Sequence, residues 1–191
     1  MFNKGENKML YIMRHGKTDW NAQRRLQGRT DIPLNAEGRQ MAEAARKAYQ
    51  QIPFDICYCS PLRRARETAE IVLRGRQIPI ISDERLVEMC FGEYEGKADC
   101  MHCPDSPISV LFDAPEKYNM PVAGAESLTA LYARTGAFLQ EVVKPQLELG
   151  KAVLIVGHGA MNCSIVCQVK NIPIKDFWRA GIENCKLMQL L

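Results

Sequence analysis

The chain has 191 residues, enough for one domain with a proper core, and its 47% hydrophobic and 25% charged side chains are ordinary globular composition. Twenty-five basic against 22 acidic residues leave a net charge of +3 with no long basic run, which argues against a nucleic-acid partner and suits a small anionic one. No apolar stretch approaches the roughly 18–20 residues of a membrane span, and residues 1–8 (MFNKGENK) lack a signal peptide's apolar core, so a cytoplasmic protein without a membrane partner is expected.

Residues Met9 to Met13 read as a buried strand running into Arg14-His15-Gly16. A polar loop follows as far as Asn35, which can cap a helix reaching about Gln51, with Met41, Ala44, Ala45 and Ala48 at inward spacing. FDICYC (54–59) is a second buried strand. Ser60-Pro61 then opens a helix, with serine as N-cap and proline at the first helical position. IPII (78–81) is a third strand. Residues 98–124 contain four of the ten prolines (Pro104, Pro107, Pro115, Pro121) and little periodicity, the texture of a loop insert within a single domain spanning 1–191. ESLTALYARTGAFLQEVV (126–143) is a helix disturbed at Pro145, AVLIV (152–156) a fourth strand, and AMNCSIVCQV (160–169) a helix. NCKLMQLL (184–191) is a final strand, expected at an edge where it could pair with a second copy in a homodimer.

Apolar strands alternating with helices predict an α/β fold, a three-layer α/β/α sandwich around a mainly parallel central sheet. Ligands of such sheets gather at the carboxyl ends of the strands. Two strands here end in His-Gly, at His15-Gly16 and His158-Gly159, and a third leads into the arginines at 63, 64 and 66. If those strands are parallel and adjacent, all three segments meet at one edge. The eight cysteines read as reduced thiols, with Cys57, Cys163 and Cys167 in the core. The pair in CMHC (100–103) has metal-like or redox-like spacing but lacks a second ligand pair, so it reads as an ordinary loop.

Two histidines among arginines make a poor cation cage and a good anion site. A guanidinium beside His15 disfavours the imidazolium and leaves a neutral, nucleophilic ring, and Gly28 and Gly159 can offer backbone N–H groups. Spacing alone does not choose among Arg63, Arg64 and Arg66. Glu88, among Leu86, Val87, Met89 and Phe91, has apolar surroundings suited to a proton donor, whereas Glu93 and Glu95 read as surface residues.

RHGKTDWN, RLQGRTDIPLNAEG, SPLRRARETAEI, LVEMCFGEYEG, GAESL and VGHG, in that order and spanning nearly the whole chain, resemble the histidine phosphatase superfamily of phosphoglycerate mutase-like proteins. The resemblance implies that His15 is a nucleophile that becomes a phosphohistidine and that Arg14 and His158 belong to the phosphate pocket. It selects Arg64, the arginine directly before an alanine in its motif. It places Asn21, Gln27, Gly28 and Gly159 along the phosphate site and makes Glu88 the proton donor. Neither metal nor cofactor is implied. PVAGAES stands where the family usually has Pro-Gly-Gly-Glu-Ser, and Tyr94 where tryptophan is common before the Glu-Gly pair; both border the insert, which is expected to shape specificity.

The expected activity is hydrolysis of a small phosphorylated metabolite. One alternative is a phosphoglycerate-type mutase returning the phosphoryl group to a sugar acid, and another is a non-catalytic regulator on the same fold. From Met89 to Gly124, Glu93, Glu95, Asp99, Asp105, Asp113 and Glu116 face only Lys97 and Lys117, a balance expected to repel the doubly anionic intermediate of a mutase.

Overall fold

A computed structural model describes residues 9–119 and 122–191; the N-terminal octapeptide and Pro121 of the insert lie outside the described residues. The elements in chain order are β1 (Leu10–Arg14), α1 (Asp19–Ala22), α2 (Ala36–Ala48), β2 (Ile56–Cys59), α3 (Arg63–Val72), β3 (Ile80–Ser82), α4 (Ser109–Asp113), α5 (Leu128–Phe138), α6 (Lys144–Glu148), β4 (Val153–Gly157), α7 (Gly159–Lys170) and β5 (Leu187–Gln189). The strands form one sheet in the order β3-β2-β4-β1-β5, parallel except for β5, which runs antiparallel along β1 at an edge.

Alternation along the strands feeds two cores. Leu10 and Ile12 of β1, with Val153 and Ile155 of β4, pack on the side of Phe138 and Ile165 in α5 and α7. Tyr11, Met13, Leu154 and Val156 pack on the opposite side against Ala42, Ala45, Ala69 and Val72 of α2 and α3. This is the expected three-layer sandwich, and burial of both sheet faces is why β1 and β4 read as unbroken apolar runs. Among the described residues no helix is long and apolar enough to cross a membrane.

The structure departs from the expected elements in four places. The polar loop after β1 contains α1, closed by a capping box between Thr18 and Asn21. The buried stripe of α2 is Gly38, Ala42 and Ala45, with Ala44 and Ala48 exposed, because α2 meets α3 through its smallest side chains. Helix α3 begins at Arg63, two residues later than expected. Ser60 therefore does not cap it, and its hydroxyl accepts the Leu62 N–H in the preceding turn instead. The helix expected over 126–143 is regular only to Phe138, and a π-helical stretch over Leu139–Val143 then joins it to α6. Pro145 has no N–H for the carbonyl four residues back, and Lys144 N–H bonds instead to Leu139 O, five residues back. The insert is also more ordered than a loop: α4 and the short 3₁₀ turn Pro115–Lys117 anchor it through buried Leu111 and Tyr118.

Candidate active site

Parallel register between β1 and β4 sets Arg14 opposite Gly157. The next residue of each strand end, His15 and His158, therefore emerges beside the other, with ring centroids 5.1 Å apart. The His15 N–H donates to Gly157 O at 2.9 Å and fixes the pair. Glycine is required at position 16, since a Cβ there would collide with the Gly38 carbonyl at the start of α2.

His15 is nearly fully buried, and its Nδ1 lies 2.6 Å from Gly16 O. A carbonyl can only accept, so the ring proton sits on Nδ1 and Nε2 keeps its lone pair. Burial, then the Arg64 and Arg14 guanidinium charges, hold the imidazole well below its ordinary pKa. Arg14 thus acts as expected, but burial is the larger cause and Arg64 stands ahead of it. His158 is fully buried and receives the Arg64 Nε–H on Nδ1 at 3.2 Å, which assigns its proton to Nε2. Burial, then Arg64, push its pKa down as well.

Arg64, on the first turn of α3, has no exposed surface. It donates to Gly28 O at 2.7 Å and Thr30 O at 2.8 Å as well as to His158. Burial lowers its pKa to about 10. Among the described residues no carboxylate forms a salt bridge with Arg14 or Arg64, and the nearest buried anion, Glu88, acts on Arg64 through space rather than by contact. Arg14 Nε, Gln27 Oε1 and His158 Nε2 are buried and unpartnered. Buried polar groups are otherwise almost always paired, so this cluster marks a place built for a ligand. Arg64, rather than Arg63 or Arg66, is the arginine in this cluster. Arg63 points its backbone N–H at Asp31, and Arg66 pairs with Glu70 on the outer face of α3.

Glu88 is buried at the N-terminal end of α7. Its Oε2 accepts the N–H groups of Gly159 at 2.8 Å and Ala160 at 3.2 Å, and its Oε1 those of Met161 and Met89, both at 2.9 Å. The Gly159 N–H expected for phosphate is therefore directed at Glu88. A Cβ at Gly159 would rest 3.4 Å from Glu88 Oε2 and 3.8 Å from Arg14 Nη2, ordinary contacts that place this helix start beside both groups. Asn21 lines the cavity with its Oδ1 committed to the Thr18 N–H and hydroxyl, which leaves its Nδ2 for a ligand.

Three site-building residues escaped the sequence reading. Glu95, expected at the surface, is half-buried. Its carboxylate accepts from Arg29 N–H, Thr30 N–H, Thr30 Oγ1 and Phe91 N–H, tying the 27–30 turn to the segment after Glu88. Burial acts to raise its pKa, but these hydrogen bonds outweigh it and hold the group below the ordinary carboxylate value. Gly28 in that turn has φ +54° and backs directly onto Glu95, so only glycine fits. Thr68, fully buried on α3, accepts the Gly16 N–H at 3.0 Å and donates to Arg64 O at 2.6 Å, bridging the two arginine-bearing segments. Asn184 donates from Nδ2 to His15 O at 2.7 Å. Thr68 left a trace in the sequence as the polar member of the Ala65-Thr68-Ala69-Val72 stripe; Asn184 and Glu95 left none.

These groups floor a cavity of about 500 Å³ whose lining includes Arg14, His15, Asn21, Gln27, Gly28, Arg64, Glu88 and Gly159. Of the six acids between Met89 and Gly124, none is among its lining residues. Asp113 holds His102 Nδ1 at 2.6 Å on the rim, and Glu95 stands behind the lining residues Gly28 and Phe91. The expected acidic repulsion is therefore corrected, because the insert presents apolar side chains to the cavity and turns its acids away. CMHC contributes its middle residues, Met101 and His102, to the wall, while Cys100 and Cys103 stay unbridged. Cys57, Cys163 and Cys167 are buried as expected. A wider open groove between α2 and α3 is lined by charges that satisfy each other, Arg39 with Glu67 and Arg74 with Glu43.

Comparison with known proteins agrees with this geometry. The chain is 32% identical over 170 residues to a 2,3-bisphosphoglycerate-dependent phosphoglycerate mutase of Cytophaga hutchinsonii, covering 88% of this chain and 80% of that one. The solved structure of YhfR from Bacillus stearothermophilus matches with a TM-score of 0.85 at 34% identity, covering 95% of this chain and 89% of that one. A mycobacterial glucosyl-3-phosphoglycerate phosphatase, solved with VO3, matches with a TM-score of 0.83 at 28% identity over 95% and 92% of the two chains. The family model for the histidine phosphatase superfamily (branch 1) matches residues 10–191, and the chain belongs to that superfamily.

Proposed function

We propose that the protein is a phosphomonoesterase that hydrolyses a small phosphorylated metabolite through a phosphohistidine on His15, with no metal in the reaction. One observation carries this reading. A neutral imidazole, its Nδ1 committed to Gly16 O, stands beside the Arg14 and Arg64 guanidinium groups, which form no salt bridge with a carboxylate among the described residues. That is the arrangement needed to attack phosphorus while three anionic oxygens are held.

His15 Nε2 attacks phosphorus and forms the N–P bond as the ester P–O bond breaks. Arg14, Arg64 and the His158 Nε2–H take the charge that develops on the equatorial oxygens, and Asn21 Nδ2 and the 27–28 turn complete the hold on the phosphate. Glu88 gives its proton to the departing alkoxide, and the four backbone N–H groups directed at it hold the carboxylate that results. Water then attacks the phosphohistidine, Glu88 recovers a proton from it, the N–P bond breaks, and inorganic phosphate leaves His15 neutral again. The charges of Arg14 and Arg64 do the electrostatic work that a metal ion does in other phosphoryl-transfer sites.

The mutase reading needs free cations for a second anionic group on the substrate. Around the rim Lys17 is committed to Glu37 at 2.6 Å, whereas Arg25 bonds only the neutral Gly96 carbonyl at 2.6 Å and Arg24 reaches Asp99 at 3.9 Å, so the choice between hydrolysis and transfer falls to the assay. The test is His15→Ala: the variant is expected to fold as the parent does and to release no phosphate from substrates the parent hydrolyses. Substantial retained turnover would overturn the assignment of the nucleophile, and isomer formation outpacing phosphate release in the parent would favour the mutase.

A further inference from the structure

Beyond the phosphate-binding floor, the cavity changes character. One wall is made of Leu26, Phe91, Met101, Phe112 and Trp178. Phe112, on α4, stacks on Trp178 with centroids 4.9 Å apart and planes 18° from parallel. The Trp178 indole N–H donates to Leu111 O at 2.7 Å, one residue before Phe112, so the indole is tied to the backbone that carries its stacking partner. Behind them Trp178 packs edge-on against buried Phe177 at 4.9 Å, and Phe112 lies 6.3 Å from buried Phe91. The wall is thus set before any ligand arrives, so a ligand that fits it does not have to order these side chains.

Phe112, Trp178 and Met101 remain partly exposed, and the surface they leave open belongs to the cavity. Arg24, Arg25 and His102 also line the cavity, but hydroxyls and carboxylates placed against the Phe112 and Trp178 rings would be desolvated without a hydrogen bond from those rings in return. Flat apolar groups suit the wall: they stack on the Phe112 ring and meet the Met101 sulfur.

Resting on the phosphatase reading above, we infer that the preferred substrate is the phosphomonoester of an alcohol carrying a flat apolar group, with the phosphate on the His15 floor and that group against Phe112, Trp178 and Met101. Phe112 is then a specificity-determining residue contributed by the 98–124 insert.

The test compares kcat/KM for 2-phenylethyl phosphate and glycerol 3-phosphate, both esters of alkyl alcohols, so that leaving-group acidity does not dominate the comparison. The parent is expected to favour the phenylethyl ester by tenfold or more, and Phe112→Ala to cut that ratio about tenfold. Phe112→Leu keeps apolar volume against Trp178 and guards against simple misfolding; it should lie between the two. Equal use of both esters by the parent, or a ratio that survives in Phe112→Ala, overturns the substrate class and leaves the phosphatase reading intact. Hydrolysis of neither ester nor of any other phosphomonoester sinks the phosphatase reading itself.

Discussion

Two imidazoles buried in neutral form make the fold sensitive to mild acid, and the size of the effect follows from their placement. Burial and the adjacent guanidinium charges keep His15 and His158 well below the ordinary histidine pKa. The unfolded chain protonates both near pH 6.5, while the folded chain does not. Below that pH the unfolded state binds more protons, so stability falls as pH falls, by about 1.4 kcal/mol per pH unit for each histidine. Integrated from pH 7 to pH 5, the unfolded value near 6.5 sets a ceiling on the loss of about 2 kcal/mol per histidine and about 4 kcal/mol for both. The total is a large share of the roughly 5–15 kcal/mol available to a typical domain. Urea melts of the parent, His15→Asn and His158→Asn at pH 7, 6 and 5 measure it, in a buffer free of phosphate because ligand binding would mask the effect. Each variant should lose less than the parent across the range, by up to about 2 kcal/mol. Asp83 and Glu95, whose pKa values are lowered, also weaken the fold in acid, but at lower pH and equally in all three proteins. Identical pH slopes in parent and variants would show that these rings protonate freely in the folded state, and the case for a permanently neutral nucleophile would fail.

Thr68→Val removes the acceptor of the Gly16 N–H and the donor to Arg64 O in one isosteric step. It should cost about 1–3 kcal/mol in a denaturant melt and lower kcat, with Thr68→Ser restoring both; a valine variant as stable and active as the parent would remove Thr68 from the site's framework. Glu95→Gln keeps the size of the side chain but weakens its hold on Arg29, Thr30 and Phe91, so KM should rise more than kcat falls as the 27–30 turn loosens; an unchanged KM would show that the turn keeps its shape without the carboxylate.

Much of this was legible in the sequence because the chemistry sits at strand ends. Burial of both sheet faces makes β1 and β4 continuous apolar runs, and the two His-Gly pairs mark where those runs stop. Parallel register then brings His15 to His158 with no further information. What could not be read depends on contacts between distant segments. Glu95 looks like a surface residue because its partners, Arg29 and Thr30, lie more than sixty positions away. The position of Asn184 against the His15 carbonyl depends on how the chain enters β5. The acids at 99, 105, 113 and 116 were legible as charges but not as directions, and direction decided their effect, since the fold leaves them exposed and brings Phe112 and Met101 to the cavity.

The floor and the wall of the cavity come from different parts of the chain. Sheet register fixes the floor, whereas the wall rides on α4 and the turn that carries Trp178. Inheritance can therefore act on the two separately. A lineage could exchange the alcohol it recognises through a few replacements in one short stretch, leaving phosphoryl transfer untouched. Relatives with different named chemistries at about 30% identity are what such a division of labour would produce.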